Sequence, residues 1–145
     1  MTVITDEMFM RQALTLSKRA LPHCRPNPPV GCVLVKNGNI ISEGFTQPPG
    51  EHHAEAHAIA NYQGSFEGVT AYVTLEPCSF VGRTPSCANT LAQLGVKRVV
   101  VALIDSDPRN NGAGLNILTE AGVEISTGIL QQEVADFITP YLINK

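Results

Sequence analysis

Basic residues form no run anywhere in the chain: 10 Lys and Arg are scattered against 13 Asp and Glu, for a net charge of −3. A protein that tracks a phosphate backbone concentrates positive charge on one surface, so nucleic acid is not the expected partner. Long apolar runs are missing as well. No stretch approaches the ~18 apolar residues of a membrane-spanning helix. The first segment, Met1 to Lys18, is interrupted by Asp6, Glu7 and Arg11 and does not read as a signal peptide. A soluble, cytoplasmic protein without membrane contact is the expectation. The four cysteines, Cys24, Cys32, Cys78 and Cys87, occur without a secretory context, which disfavours a disulfide framework and leaves reduced thiols or metal ligands. Repeats, low-complexity tracts and interdomain linkers are absent too. With 43% hydrophobic and 16% charged residues, positions 1–145 have the balance of one compact domain with a real core.

What is present is an alternation of helical and strand patterns. Apolar spacing over Asp6 to Arg19 predicts an opening helix that ends before Pro22. The prolines at 26, 28 and 29 force an extended loop, after which Val30 to Val35 and Ile40 to Phe45 read as strands joined at Asn37-Gly38, a strong hairpin signal. Ala54 to Tyr62 is alanine-rich and helical in pattern, and Thr70 to Leu75 is a strand stopped by Pro77. A helix over Ser86 to Leu94, an apolar strand over Arg98 to Ile104, a helix over Leu115 to Ala121, a short strand over Gly122 to Ile125 and a closing helix over Leu130 to Leu142 complete the series. This is an α/β chain. Continuous apolar strands such as Val99 to Leu103 imply burial on both faces, as helices on either side of a sheet provide.

Two clusters carry chemistry. The first is His53-Ala54-Glu55 at the head of a helix. Alone it is a weak signal, because residues two apart on a regular helix point ~200° apart. The side chains converge only if His53 sits at the cap with non-helical backbone. The second cluster places Cys78 directly after a strand and Cys87 directly before the body of the next helix. Eight intervening residues exceed the usual zinc-cysteine spacing of about two to four, so this pair alone is also compatible with two unrelated thiols. Cys32 lies in the apolar run Val30 to Val35 and reads as a small buried hydrophobe, and Cys24 sits in a loop without a metal partner nearby in sequence.

Joined, the clusters supply one His and two Cys, leaving the fourth tetrahedral position of Zn²⁺ for water, the arrangement of a catalytic zinc. Two thiolates and a neutral imidazole cancel the zinc charge, so such a metal acidifies water less than an all-histidine site would. A carboxylate partner is therefore needed, and Glu55 provides it. Helix N-termini at Ala54 and Ala88 would favour deprotonated cysteines. Glu55 would take a proton from water and pass it to a ring nitrogen while ammonia leaves the attacked carbon, the His-x-Glu and Pro-Cys chemistry of zinc deaminases.

Further stretches sharpen this: Pro26-Asn27-Pro28-Pro29-Val30-Gly31-Cys32-Val33, Thr74-Leu75-Glu76-Pro77-Cys78-Ser79, Gly82-Arg83-Thr84-Pro85 and Gly95-Val96-Lys97-Arg98-Val99-Val100. With His53-Ala54-Glu55 they resemble the deaminase domain of the bifunctional riboflavin-biosynthesis deaminase/reductase over almost the whole chain. The resemblance implies a cytidine deaminase-like fold, three layers α/β/α with a mixed central sheet of about five strands, and hydrolytic deamination of a diamino-hydroxy-pyrimidine carrying a ribosylamino 5-phosphate. By position it implies His53, Cys78 and Cys87 as zinc ligands, Glu55 as proton shuttle, Asn27 and the Ala54 backbone as ring contacts, and Arg83 on the phosphate or ribose. It further implies a homo-oligomer and, since the family's reductase domain is absent from these residues, a separate reductase in the pathway. Three positions depart from the family: Thr46 and Phe80 stand where histidines are usual, and Asp105-Ser106-Asp107-Pro108 replaces Asp-Pro-Asn-Pro. These residues lie on the ribose-phosphate side of the family's pocket. Thr46 and Phe80 remove donors to an anion and Asp107 adds a like charge, which is expected to disfavour phosphate. An unphosphorylated base or nucleoside is the alternative substrate, and a non-enzymatic zinc-stabilised binding module is the reading from a different class.

Overall fold

The computed structural model describes residues 3–79 and 85–142. Five strands form one sheet in the order β2-β1-β3-β4-β5, comprising β1 (Gly31–Lys36), β2 (Asn39–Phe45), β3 (Thr70–Leu75), β4 (Arg98–Leu103) and β5 (Glu124–Thr127). Strand β1 runs antiparallel to both β2 and β3, whereas β3, β4 and β5 are parallel, so the sheet is mixed as expected. The β1–β2 hairpin turns at Asn37 (φ 54°) and Gly38 (φ 79°), two successive left-handed residues that match the right-handed twist of the flanking strands.

Five helices cover the sheet: α1 (Val3–Arg19), α2 (Ala54–Ala60), α3 (Cys87–Leu94), α4 (Ala113–Glu120) and α5 (Gln131–Leu142). Two glycines show which helix lies on which side. A Cβ at Gly31 would fall 1.8 Å from the Ala13 carbonyl oxygen of α1, and one at Gly44 would fall 2.4 Å from the Ala54 carbonyl oxygen and the Ala58 nitrogen of α2. Gly31 pairs with Phe45 and Gly44 with Cys32, and successive strand residues face opposite ways, so α1 and α2 cover opposite faces. Helix α5 lies beside α1, joined by an Arg11–Glu133 ion pair of 2.6 Å, while α3 packs on α4. The three-layer arrangement follows, and Val99 to Ala102 of β4 are buried as their apolar run predicts.

One polar network ties α1 to the sheet. Asp6 accepts two hydrogen bonds from Arg98 of β4, 3.0 and 2.8 Å, and a third of 2.7 Å from the Tyr72 hydroxyl of β3. The Arg98 guanidinium holds the Asp6 carboxyl below its ordinary range, against the burial that would raise it.

Element boundaries differ from the sequence pattern at several ends. Helix α1 starts at Val3 rather than Asp6 and α4 at Ala113 rather than Leu115, while α2 stops at Ala60, short of Tyr62. Strand β5 starts at Glu124 because Gly122, at φ 85°, is spent on leaving α4, its N–H bonding the Thr119 carbonyl at 3.0 Å. Pro140 falls within the final helix, as anticipated.

Candidate active site

The site assembles where chain segments enter or leave elements at one end of the sheet. His53 is the N-cap of α2, with φ −68° and ψ 169°, extended rather than helical. That departure from helical backbone is what His53 and Glu55 require to converge. Strand β3 ends at Leu75 and delivers Glu76-Pro77-Cys78. The Cys78 carbonyl accepts from the Ala88 N–H at 3.0 Å and from the Ser86 hydroxyl at 2.7 Å, while the same hydroxyl caps α3 by accepting from the Asn89 N–H at 3.2 Å. Cys87 is the first residue of α3, and its N–H points at the Cys78 sulfur at 3.2 Å. One capping serine thus fixes the relation of two cysteines separated by eight residues.

Donor atoms of His53, Cys78 and Cys87 all lie within 4.8 Å of one another. The Nδ1 atom of His53 is 3.8 Å from the Cys78 sulfur and 3.6 Å from the Cys87 sulfur. Two thiols and an imidazole are soft to borderline donors, which suit zinc and not the hard cations Mg²⁺ or Ca²⁺. Three protein donors leave the fourth tetrahedral position unfilled by this group, and two of them, His53 and Cys78, line a cleft, so the residues present fit a catalytic metal of this type.

The electrostatics are those of groups competing for few protons. The hydrogen bond from Cys87 is the main influence holding the Cys78 thiol down to about 4, with His53 acting in the same direction. Cys87 moves the opposite way, raised by donating to Cys78 and by burial. Glu55, only 4% exposed, is pushed up to about 7, first by burial and then by the negative charge of Cys78. His53 is raised, chiefly by its hydrogen bond with Cys78. Cys32, on the strand face turned toward Glu55, is fully buried and its thiol is raised by burial, which fits the bland reading of that residue.

A cleft of about 470 Å³ opens over this cluster and is lined by Asn27, Thr46, Ala54, Glu55, Cys78 and Asp105 among others. The structure therefore brings together residues that the sequence spreads over some eighty positions. Thr46 is buried, and its hydroxyl is occupied with backbone, accepting from the Val30 N–H at 3.0 Å and donating to the Pro28 carbonyl at 3.2 Å. It clips the proline loop carrying Asn27 against β2. Asp107 is not among the lining residues; its carboxylate holds Arg109, with Nη2 to Oδ2 at 2.7 Å. The lone repulsive charge expected at 107 is therefore corrected: Arg109 neutralises it, and Arg109 itself lines the cleft. Phe80 and Arg83 lie outside the described residues.

Sequence reasoning missed Glu76, Arg109 and Asn110. Glu76 is 3% exposed and accepts backbone hydrogen bonds from Asp105 (3.1 Å), Gly112 (2.9 Å) and Leu115 (3.2 Å). Asn110 donates to the Pro77 carbonyl at 3.2 Å and accepts from the Gly114 N–H at 3.1 Å. Gly114 must lack a side chain, since a Cβ there would meet the Pro77 carbonyl oxygen at 2.0 Å. The start of α4 is thus bolted to the Glu76-Pro77 segment that presents Cys78. An acid at the end of an apolar strand, immediately before Pro-Cys, was the available signal.

A metal-ready His/Cys/Cys set, two members at helix starts and one just past a strand end, with a buried glutamate two residues beyond the histidine, has the residue pattern of a deaminase-type metal site on an α/β/α fold. Residues 3–103 match the cytidine and deoxycytidylate deaminase zinc-binding region, and the chain belongs to that family. Within it the chain is similar to the diaminohydroxyphosphoribosylamino-pyrimidine deaminase of Buchnera aphidicola, 42% identical over 90% of this chain and 88% of that protein. It is likewise similar to the riboflavin biosynthesis protein RibD of Actinobacillus pleuropneumoniae, 44% identical over 94% of this chain but spanning only 36% of that protein's length. The structure of Acinetobacter baumannii RibD superimposes with a TM-score of 0.93 at 44% identity, covering 97% of this chain and 40% of that one. Among the described residues, no helix is long and apolar enough to cross a membrane.

Proposed function

We propose that this chain hydrolytically deaminates an aminopyrimidine carrying a phosphoribosylamino substituent. The observation that carries the reading is the grouping of His53, Cys78 and Cys87 beside Glu55, with His53, Glu55 and Cys78 lining one cleft. The three donors would hold zinc, which when bound supplies Lewis acidity toward water. A carboxylate poised near neutral pH can both accept and return a proton at pH 7. Glu55 takes a proton from the attacking water and delivers it to the ring nitrogen as the water oxygen bonds to the carbon bearing the amino group. The proton still on that oxygen, relayed by Glu55, then goes to the amino group, so that the C–N bond breaks, ammonia leaves and the ring carbonyl forms.

Asn27 and the Ala54 backbone hold the ring against Glu55. The Thr46 hydroxyl supports the Asn27 loop, and Asp105, with Asp107 behind it, walls the side where the sugar lies. Phe80 and Arg83 are assigned to substrate contact by the sequence resemblance. Residues 1–145 work as one deaminase domain in this reading, and the chain assembles as a homo-oligomer. A purely structural zinc site would close its fourth position with protein and would have no use for a buried carboxylate beside the donors.

Ammonia release by zinc-loaded protein is the test. The diamino-hydroxy-pyrimidine ribosylamino 5-phosphate is expected to turn over in preference to its dephosphorylated form, the free base and cytidine. Turnover confined to the free base or a nucleoside would replace this substrate with the unphosphorylated class, a reading that Thr46 favours because its hydroxyl is spent on backbone.

A further inference from the structure

A train of carboxylates leads from Glu76, two residues before Cys78, to Arg109 in the lining of the cleft. Glu76 accepts the Asp105 N–H at 3.1 Å, Asp105 accepts the Asp107 N–H at 3.0 Å, and Asp107 accepts the Arg109 N–H at 2.9 Å. Asp107 then takes the Nε–Nη2 edge of the Arg109 guanidinium, at 3.1 Å from Nε to Oδ1 and 2.7 Å from Nη2 to Oδ2. The Arg109 side chain remains 64% exposed while that of Asp107 is 10% exposed, so the buried partner orients the open one.

Charge makes the position informative. The acids Glu51, Glu55, Glu76 and Asp105 line the cleft, and among the described residues Arg109 is the one Lys or Arg lining it. An anionic substrate entering such a cleft needs a cation, and a guanidinium oriented by Asp107 and still 64% exposed offers a phosphate a charged, planar donor group.

Resting on the substrate proposed above, we propose that Arg109, aimed by Asp107 and by the Glu76-anchored loop behind it, is the specificity residue that reads the phosphate end of the substrate. Arg109 then discriminates phosphorylated from dephosphorylated pyrimidine and takes no part in the proton transfers at Glu55.

Two readouts separate this role from the deaminase reading. In the first, ribose 5-phosphate is titrated into zinc-loaded protein by calorimetry. Arg109→Gln is expected to weaken binding about 10- to 100-fold, the scale of a lost charge-assisted hydrogen bond. Arg109→Lys, which keeps charge but not the planar donor group, should fall between, and Arg11→Gln on the far side of the sheet should match wild type. In the second, the ratio of kcat/KM for the phosphoribosylamino-pyrimidine to that for its dephosphorylated form is expected to drop by a similar factor in Arg109→Gln, through KM. Equal ribose 5-phosphate affinity in wild type and Arg109→Gln, or failure of wild type to bind it, overturns the role of Arg109. An unchanged substrate ratio does the same. Arg109-dependent binding without any ammonia release would instead sink the deaminase reading and leave the role of Arg109 standing.

Discussion

Two buried carboxylates lie on opposite faces of the same sheet and are treated in opposite ways. Asp6 on α1 is surrounded by donors, Arg98 twice and Tyr72 once, and its acidity is strengthened. Glu55 on α2 is buried to a similar degree, but beside sulfur, and is pushed up to about 7. The first is held in one protonation state across the ordinary pH range, as a structural anchor requires. The second is raised by burial and by the Cys78 charge toward the range in which a group can take and return a proton. Burial alone therefore says little about a carboxylate; the charge and donors facing it decide its use.

Metal removal gives the largest expected effect on this contrast. Chelation, or Cys78→Ser, is expected to reduce ammonia release to background while the Asp6 network keeps the far face folded, which metal analysis and circular dichroism together would check. Glu55→Gln comes next. It should retain zinc and lose about 10²–10⁴-fold in kcat, the range of general acid–base catalysis; full activity in this variant would break the assignment.

Stability measurements turn the same contrast into opposite signs. Asp6→Asn is expected to destabilise by about 3 kcal/mol in denaturant unfolding, because Arg98 is left with its side chain 14% exposed and no carboxylate from α1. The pH dependence follows from the lowered acidity constant of Asp6. Its contribution is complete above the ordinary value of 3.8 and is lost as the pH falls through the lower folded-state value, so Asp6→Asn should flatten the acid limb of the melting curve. Glu76→Gln replaces one acceptor oxygen facing backbone N–H groups with a donor and should cost about 1–3 kcal/mol, with KM rising more than kcat falls.

The smallest effect belongs to Glu55 in the metal-free protein. With its folded-state value raised from 4.5 to about 7, the folded state holds a proton that the unfolded state has released, so stability falls as the pH rises between those values. Glu55→Gln removes that loss, about 3 kcal/mol at pH 8, but also alters the hydrogen bond that Glu55 makes with Cys87, which costs about 1–3 kcal/mol, so the net gain in metal-free stability at pH 8 should be about 1 kcal/mol. A decrease comparable to that of Asp6→Asn would erase the distinction between the two carboxylates.

Much of this was legible in the residues because it is local. The Asn37-Gly38 turn, the apolar β4 and the prolines that end elements act through backbone sterics and hydrophobic period, and the mixed sheet follows from a hairpin joined to helical crossovers. The donor set was legible because His, Cys and Glu carry their chemistry with them. Boundaries such as the start of β5 were not, since Gly122 could serve either a helix exit or a strand until packing assigned it.

Charge pairing lay beyond the sequence altogether. Asp107 read as a repulsive acid because its sign is local, whereas its neutralisation depends on where the loop turns Arg109. Glu76 looked like one more residue beside Pro77-Cys78, and its role appears only when the start of α4, three dozen positions away, supplies N–H groups to it. Residue identity and spacing determined which atoms can bind metal and carry protons. Tertiary structure alone decided which buried acids are paired, which are left poised, and which cation faces the cleft, because Coulomb and desolvation energies depend on distances in space and not on separation along the chain.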